Sequence, residues 1–199
     1  MRKIGLFGGT FDPIHNGHIK VAQTAIDKIG LDMVIFIPSG QPPHKTKKQI
    51  SDKQTRLEMT QLAIQDIPYF KLSDYELDKQ NLSYSVETVK HFLDEYPGDT
   101  FYFIVGADSF SDLPTWYGYR DLMELCCFVV ISRPDTKKEE LLARFEGNEK
   151  PPRVFFIDDV FMDISSTQIR EMVAEGNNII ELVPIKIYEY IIKKSLYRE

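Results

Sequence analysis

The sequence predicts an α/β fold, a doubly wound parallel sheet with a helical C-terminal portion. Strand-like and helix-like segments alternate from one end of the chain to the other. The strand-like runs are apolar throughout, without the polar alternation of a half-solvated sheet, as strands covered on both faces require. The 199 residues, 43% of them hydrophobic and 27% charged, suit one domain that buries roughly 70% of the surface its unfolded form exposes.

Each element has its own warrant. Residues 3–7 are an apolar run ending at Gly8 and Gly9, and residues 18–29 carry Ile19, Ala22, Ile26 and Ile29 at helical spacing. Residues 33–37 read as a buried strand that stops at Pro38. The stretch 38–50 has no periodicity and holds Pro42, Pro43 and a basic group including Lys45, the composition of a lid, a binding loop or a flexible loop. Ser51-x-x-Gln54 fits a capping box opening a helix whose stripe includes Leu57 and Leu62. Residues 101–105, 127–131 and 153–157 are further buried strands. Ser165-x-x-Gln168 is a second capping box, with Ile164 and Ile169 placed as its hydrophobic staple. Residues 184–196 form a last helix with Tyr188, Ile191 and Ile192 on one face. There is no internal repeat, low-complexity segment or linker, so residues 1–199 are expected to be one domain.

Composition excludes several function classes. Lys and Arg number 24 against 30 Asp and Glu, a formal charge of −6, which speaks against a protein that coats nucleic acid. A nucleotide ligand stays open, because a local basic pocket can sit on an acidic protein. The longest apolar run, 125–131, is far too short to span a bilayer, and the N-terminal residues lack a signal-peptide core. Cys126 and Cys127 are adjacent and make poor disulfide partners, so a reducing cytoplasm is expected. Oligomeric state is left open, a homo-oligomer included.

The strongest chemical signal is Gly8-Gly9-Thr10-Phe11-Asp12-Pro13-Ile14-His15-Asn16-Gly17-His18, where the first strand meets the first helix. That junction is the usual ligand crevice of an open, Rossmann-like sheet. Its glycines let a polyanion approach the backbone, and the helix N-terminus offers free N–H groups and positive dipole. His15 and His18, three apart, project from one face and can stabilise charge on a phosphate. Taken singly, each histidine reads better as a helix cap; the whole cluster reads better as a site.

Rival motifs fail. A Walker phosphate loop needs Gly-Lys, which is absent, and Gly5, Gly8 and Gly9 have the wrong spacing for G-x-G-x-x-G. Two histidines without an intervening Glu or a clear third ligand make a weak zinc site. Asp158, Asp159 and Asp163 could bind a cation but read better as a solvated strand end.

The stretch from Gly8 to His18 resembles the T/H-x-G-H signature of the nucleotidyltransferase superfamily. Ile164-Ser165-Ser166-Thr167-Gln168-Ile169-Arg170 resembles its I-S-S-T-x-I-R partner motif. Between them stand Pro42-Pro43-His44-Lys45, Gly106-Ala107-Asp108-Ser109, Trp116 and Ser132-Arg133-Pro134. That order is similar to the bacterial nicotinate-nucleotide (nicotinic acid mononucleotide) adenylyltransferase family, and the matches run from residue 3 to 170. The length also suits that family better than its shorter relatives for phosphopantetheine or glycerol phosphate.

The resemblance implies that ATP and nicotinate mononucleotide give deamido-NAD and pyrophosphate, with Mg2+ entering on the ATP and no dedicated metal site. It implies that Gly8, Gly9, Thr10 and Phe11 line the path shared by both nucleotides. His15 and His18 would contact the ATP phosphates, while Arg170 and the N–H groups of Ser165, Ser166 and Thr167 hold the triphosphate. Lys45 would close over the phosphates, its other reading being a solvated loop lysine. Arg133 would lie near adenine or the phosphates, and Gly106 and Asp108 would face the ribose. Trp116, Tyr84 and Ser85 would receive the nicotinate nucleotide. Ser85 stands where Thr is common and Glu87 where Asp is common, and both keep the side-chain chemistry.

Overall fold

The computed structural model describes residues 1–40, 50–79, 82–132, 135–158, 160 and 163–198. In chain order these form β1 (Lys3–Gly9), α1 (Asn16–Ile29), β2 (Met33–Pro38), α2 (Lys53–Ile64), β3 (Phe70–Leu72), α3 (Tyr75–Asp78) and α4 (Ser85–Glu95). Then follow β4 (Thr100–Gly106), α5 (Ala107–Ser111), a 3-10 turn (Leu113–Thr115), α6 (Tyr119–Leu125), β5 (Cys127–Ile131) and α7 (Lys138–Ala143). The chain continues with β6 (Val154–Ile157), α8 (Ser166–Ala174) and α9 (Ile185–Lys194).

Among the described residues the strands form one six-stranded sheet in the order β3-β2-β1-β4-β5-β6, parallel throughout. The period of a strand divides its side chains between two cores. In β2, Val34 and Phe36 join the cluster that holds Ala22, Ala25, Ile169, Ile187 and Ile191. Ile35 and Ile37 join the opposite one, with Val86, Val89, Phe92, Phe110 and Leu122. Helices α1, α8 and α9 therefore cover one face, and α4, α5 and α6 the other, which is why the strands are apolar on both sides. Gly5 is tight against the first core, since a Cβ there would lie 2.9 Å from Val34 Cγ2.

Three local expectations are corrected. Helix α2 starts one residue later than the Ser51 box predicts, because Asp52 is the cap and accepts from the Thr55 N–H at 2.9 Å. The N–H of Ser51 is already committed to Asp12 Oδ2 at 3.1 Å. The buried stripe of α2 is Arg56, Met59, Thr60 and Ile64, while Leu57 and Leu62 are only half-buried. In α9 the buried pair is Ile187 and Ile191, with Tyr188 packed beside them and Ile192 40% exposed. By contrast Ser165 caps α8 as expected, accepting from the Gln168 N–H at 3.1 Å, and Ile164 and Ile169 pack in the same core. β3 was not foreseen; three residues are too few to show a period.

Candidate active site

β1 pairs with β2 on one side and β4 on the other, so the connections depart in opposite directions at the β1–β4 junction. Open parallel sheets bind ligands at such a switch point, beyond the carboxyl ends of the strands. A hollow of about 420 Å³ lies there. Gly8, Gly9 and Thr10 from the end of β1 and Gly106 from the end of β4 line it on one side, and Tyr84, Ser85 and Trp116 on the other. Seven predicted residues are thus brought together from four separate stretches of sequence.

The glycine wall is shaped by Phe11. A Cβ at Gly9 would meet the Phe11 ring at 2.7 Å, so the strand end lies directly on that ring. Phe11 holds φ of 50°, a left-handed conformation strained for a non-glycine residue. Its ring is 1% exposed and packs edge-on against Phe7 at 5.7 Å and His18 at 5.0 Å. Phe11, expected to line the nucleotide path, is instead a buried support beneath Gly9 and does not line the hollow.

On the opposite wall Tyr84 caps α4 and Ser85 opens it, so the free N–H groups of a helix start lie beside the hollow. Trp116 follows the 3-10 turn and sits edge-on to Phe103 at 6.2 Å, half-buried rather than in the core. The Tyr117 ring, 4.7 Å from that of Tyr84, extends this aromatic wall. Sequence reasoning missed the polar floor made by Ser39, Glu76 and Ser83. Thr88 Oγ1 donates to Glu76 Oε1 at 2.8 Å, and burial raises the Glu76 carboxyl above its usual range, partly offset by Thr88, Lys79 and Ser83. Ser39 Oγ is buried with no partner among the described residues. A buried acid on a short helix has no local signature; only the Ser83-Tyr84-Ser85 run could have drawn attention to this floor.

The two histidines stand at the start of α1. His15 is the cap and His18 the third helical residue; the His15 N–H donates to His18 Nδ1 at 3.2 Å, and the rings stack at 3.7 Å. The two rings lie together as the spacing predicts, and of the two side chains it is His18 that accepts a capping hydrogen bond. Burial pushes the His15 imidazole down to about 4, so it is neutral at pH 7. Its Nδ1 is buried with no partner among the described residues.

The start of α8 is tied to the same loop. Ser166 Oγ donates to Pro13 O at 2.9 Å, and Arg170 donates from Nη1 to Asp12 O at 2.6 Å and from Nη2 to Thr167 Oγ1 at 3.3 Å. Two helix N-termini with their partial positive charge thus flank one connection, the arrangement that suits a polyanion.

Other predicted residues lie apart. Thr167 and Arg170 line a separate hollow of about 500 Å³ with Ser51 and Tyr197, and Asp108 lines a third, of about 400 Å³, with Lys137 and Arg144. Lys45 and Arg133 lie outside the described residues, as does Asp159. A larger hollow, about 560 Å³ between α2 and α9, contains none of the predicted residues. Among the described residues no three His, Cys, Asp or Glu side chains gather as a metal site, and Asp158 is held by Lys138 Nζ at 2.6 Å. Cys126 and Cys127 are buried free thiols, and burial pushes Cys126 up to about 12, which fits packing rather than nucleophilic chemistry. No helix of the described residues is long and apolar enough to cross a membrane.

The parallel sheet with a hollow at its switch point fits a nucleotidyltransferase, and the cytidylyltransferase-like family model matches residues 6–172. The chain belongs to that family, and within it to the nicotinate-nucleotide adenylyltransferases. It is 43% identical over 200 residues to the probable nicotinate-nucleotide adenylyltransferase of Clostridium tetani, and 44% identical to that of Clostridium novyi, with 100% of both chains covered in each case. Among solved structures it matches Plasmodium falciparum nicotinic acid mononucleotide adenylyltransferase complexed with NaAD, at a TM-score of 0.81 and 22% identity, covering 99% of this chain and 98% of that one. The crystal structure of a putative nicotinate-nucleotide adenylyltransferase from Vibrio parahaemolyticus matches at a TM-score of 0.71 and 21% identity, covering 100% of this chain and 97% of that one. These two structural matches show a shared Rossmann-like fold.

Proposed function

We propose that this chain transfers the AMP moiety of ATP to nicotinate mononucleotide, giving deamido-NAD and pyrophosphate, as a step of NAD biosynthesis. The observation that carries the reading is the single hollow in which the Gly8-Gly9-Thr10 strand end meets Tyr84, Ser85 and Trp116, in a chain whose full-length relatives bear that enzyme's name. One nucleotidyltransferase domain over residues 1–199 is supported by two cores built on one sheet. The free, buried cysteines support a cytoplasmic setting.

An oxygen of the mononucleotide phosphate attacks the α-phosphorus of ATP, and the bond to the β-phosphate oxygen breaks, so pyrophosphate leaves with the electron pair. The attacking monoester has a second pKa near 6, so at neutral pH it is mostly deprotonated and needs no base. A neutral, buried His15 agrees with this division of labour: it serves as a hydrogen-bond donor, not a proton acceptor. The work left is alignment and cancellation of charge. In this reading His15 and His18 donate to the phosphates, and Arg170 with the N–H groups of Ser165, Ser166 and Thr167 holds the triphosphate. Gly106 and Asp108 face the ribose, and Lys45 and Arg133 add positive charge toward the phosphates. Mg2+ entering with the ATP would supply the remaining neutralisation of phosphate charge, with no protein ligand set of its own required.

The ring of the acceptor packs on Trp116, and its carboxylate meets the donors at the start of α4. A panel of acceptors tests this: ATP and Mg2+ with nicotinate mononucleotide, nicotinamide mononucleotide or phosphopantetheine, read as pyrophosphate release. Turnover is expected with nicotinate mononucleotide foremost. Turnover confined to phosphopantetheine, or ATP binding without transfer to any acceptor, refutes the reading.

A further inference from the structure

Asp12, inside the β1–α1 connection, is 1% exposed, and a buried carboxylate must be satisfied by donors. Its partners come from distant parts of the chain. The Tyr197 hydroxyl donates to Oδ1 at 2.6 Å, and the Ser51 N–H donates to Oδ2 at 3.1 Å. Arg56, 2% exposed, straps the same place, donating from Nη1 to Thr10 O at 2.8 Å and from Nε to Ser51 O at 3.2 Å. The Asp12 carbonyl in turn receives Arg170 Nη1.

The segment after α9 reaches this contact through a left-handed bend. After α9, Ser195 and Tyr197 have φ of 52° and 62°, left-handed conformations that are strained for residues other than glycine. Such strain persists where surrounding contacts hold it: Ser195 is the left-handed cap of α9, with the Leu196 N–H donating to Ile191 O at 3.1 Å, and Tyr197 makes the hydrogen bond to Asp12. We infer that Tyr197 is a positioning residue for the triphosphate site: it fixes the Asp12 side chain, and thereby the Asp12 carbonyl that holds the Arg170 guanidinium. This rests on the proposed role of Arg170 toward ATP. The mononucleotide wall of Tyr84, Ser85 and Trp116 shares none of these contacts, so the effect should fall on one substrate only.

The test compares Tyr197→Phe with Tyr190→Phe. The Tyr190 hydroxyl donates to Glu58 Oε2, also at 2.6 Å, so the control removes a tyrosine–carboxylate bond of the same length on the same face, away from Asp12. Binding of Mg-ATP is measured by calorimetry, and binding of nicotinate mononucleotide by quenching of Trp116, the only tryptophan. Steady-state kinetics with both substrates follow. Loss of a hydrogen bond to a charged group should lower kcat/KM for ATP by roughly 10- to 100-fold in Tyr197→Phe, with ATP affinity weakened and mononucleotide affinity within about twofold of wild type. Tyr190→Phe should match wild type in all of these. An Asp12→Asn variant should already carry most of the loss, so that adding Tyr197→Phe to it changes little. The inference is overturned if Tyr197→Phe behaves like Tyr190→Phe, or if both substrates weaken equally. Failure of wild type to transfer AMP to nicotinate mononucleotide would overturn the acceptor reading instead, and the calorimetric comparison with ATP would still decide the role of Tyr197.

Discussion

His15 should make this protein acid-sensitive by a calculable amount. Its side chain is 6% exposed, and burial holds its pKa at about 4 against an ordinary 6.5. The lowered value means that the unfolded chain takes up the proton first. The stabilisation is therefore fully present above about pH 6.5 and is lost as pH falls toward 4. The gap between the two values corresponds to roughly 3 kcal/mol in full, of which about 2 kcal/mol is lost between pH 7 and pH 5. The assay is urea unfolding of wild type and His15→Asn at those two pH values, since asparagine is a favoured helix cap with no charge to gain. Wild type should lose about 2 kcal/mol more than the variant. Parallel losses in the two proteins, or an imidazole that titrates near 6.5 by NMR in the folded state, would refute the argument. A group kept neutral in this way also donates without lending positive charge, which is the role proposed for it.

His18→Ala should lower turnover by roughly 100- to 1000-fold at equal folded fraction, as loss of one transition-state donor does; wild-type turnover would return His18 to a purely capping role. Nicotinate mononucleotide should be preferred over nicotinamide mononucleotide by about 100-fold in kcat/KM, near 2.7 kcal/mol, because a carboxamide turns an NH₂ toward one of the donors at the start of α4. Equal efficiencies in steady-state kinetics would sink that account of the pocket. Glu76→Gln should gain stability over wild type as pH rises above 4.5. Burial raises the folded pKa of Glu76, so the stability of its neutral form is present below the unfolded value and is lost as pH rises through the folded one. A difference in urea midpoint that does not change between pH 4 and pH 8 would contradict this.

What the sequence determined by itself is whatever depends on near neighbours. Apolar runs such as 127–131 specify strands buried on both faces, because a strand without a polar side has no face to give to water. Ser165 could be read as a cap because the group it satisfies is three residues away. The Gly8 to His18 stretch was legible because glycines, a helix start and two histidines lie within one connection.

Only the tertiary structure decided which distant groups would meet. The strand order brings Gly8 and Gly106 to one hollow, although 98 positions separate them. Ser51 was the cap a local reading offered; Asp12 took the Ser51 N–H, Asp52 capped instead, and the helix began one residue later. Arg56 is buried where Leu57 was expected, because the Thr10 and Ser51 carbonyls satisfy its guanidinium. Phe11 looked like a wall of the site and became its support, and Glu76 and Tyr197 gave no sign at all. The physical reason is common to these cases. Periodicity records which face of an element avoids water, whereas the satisfaction of a buried polar group depends on a partner brought in by the fold.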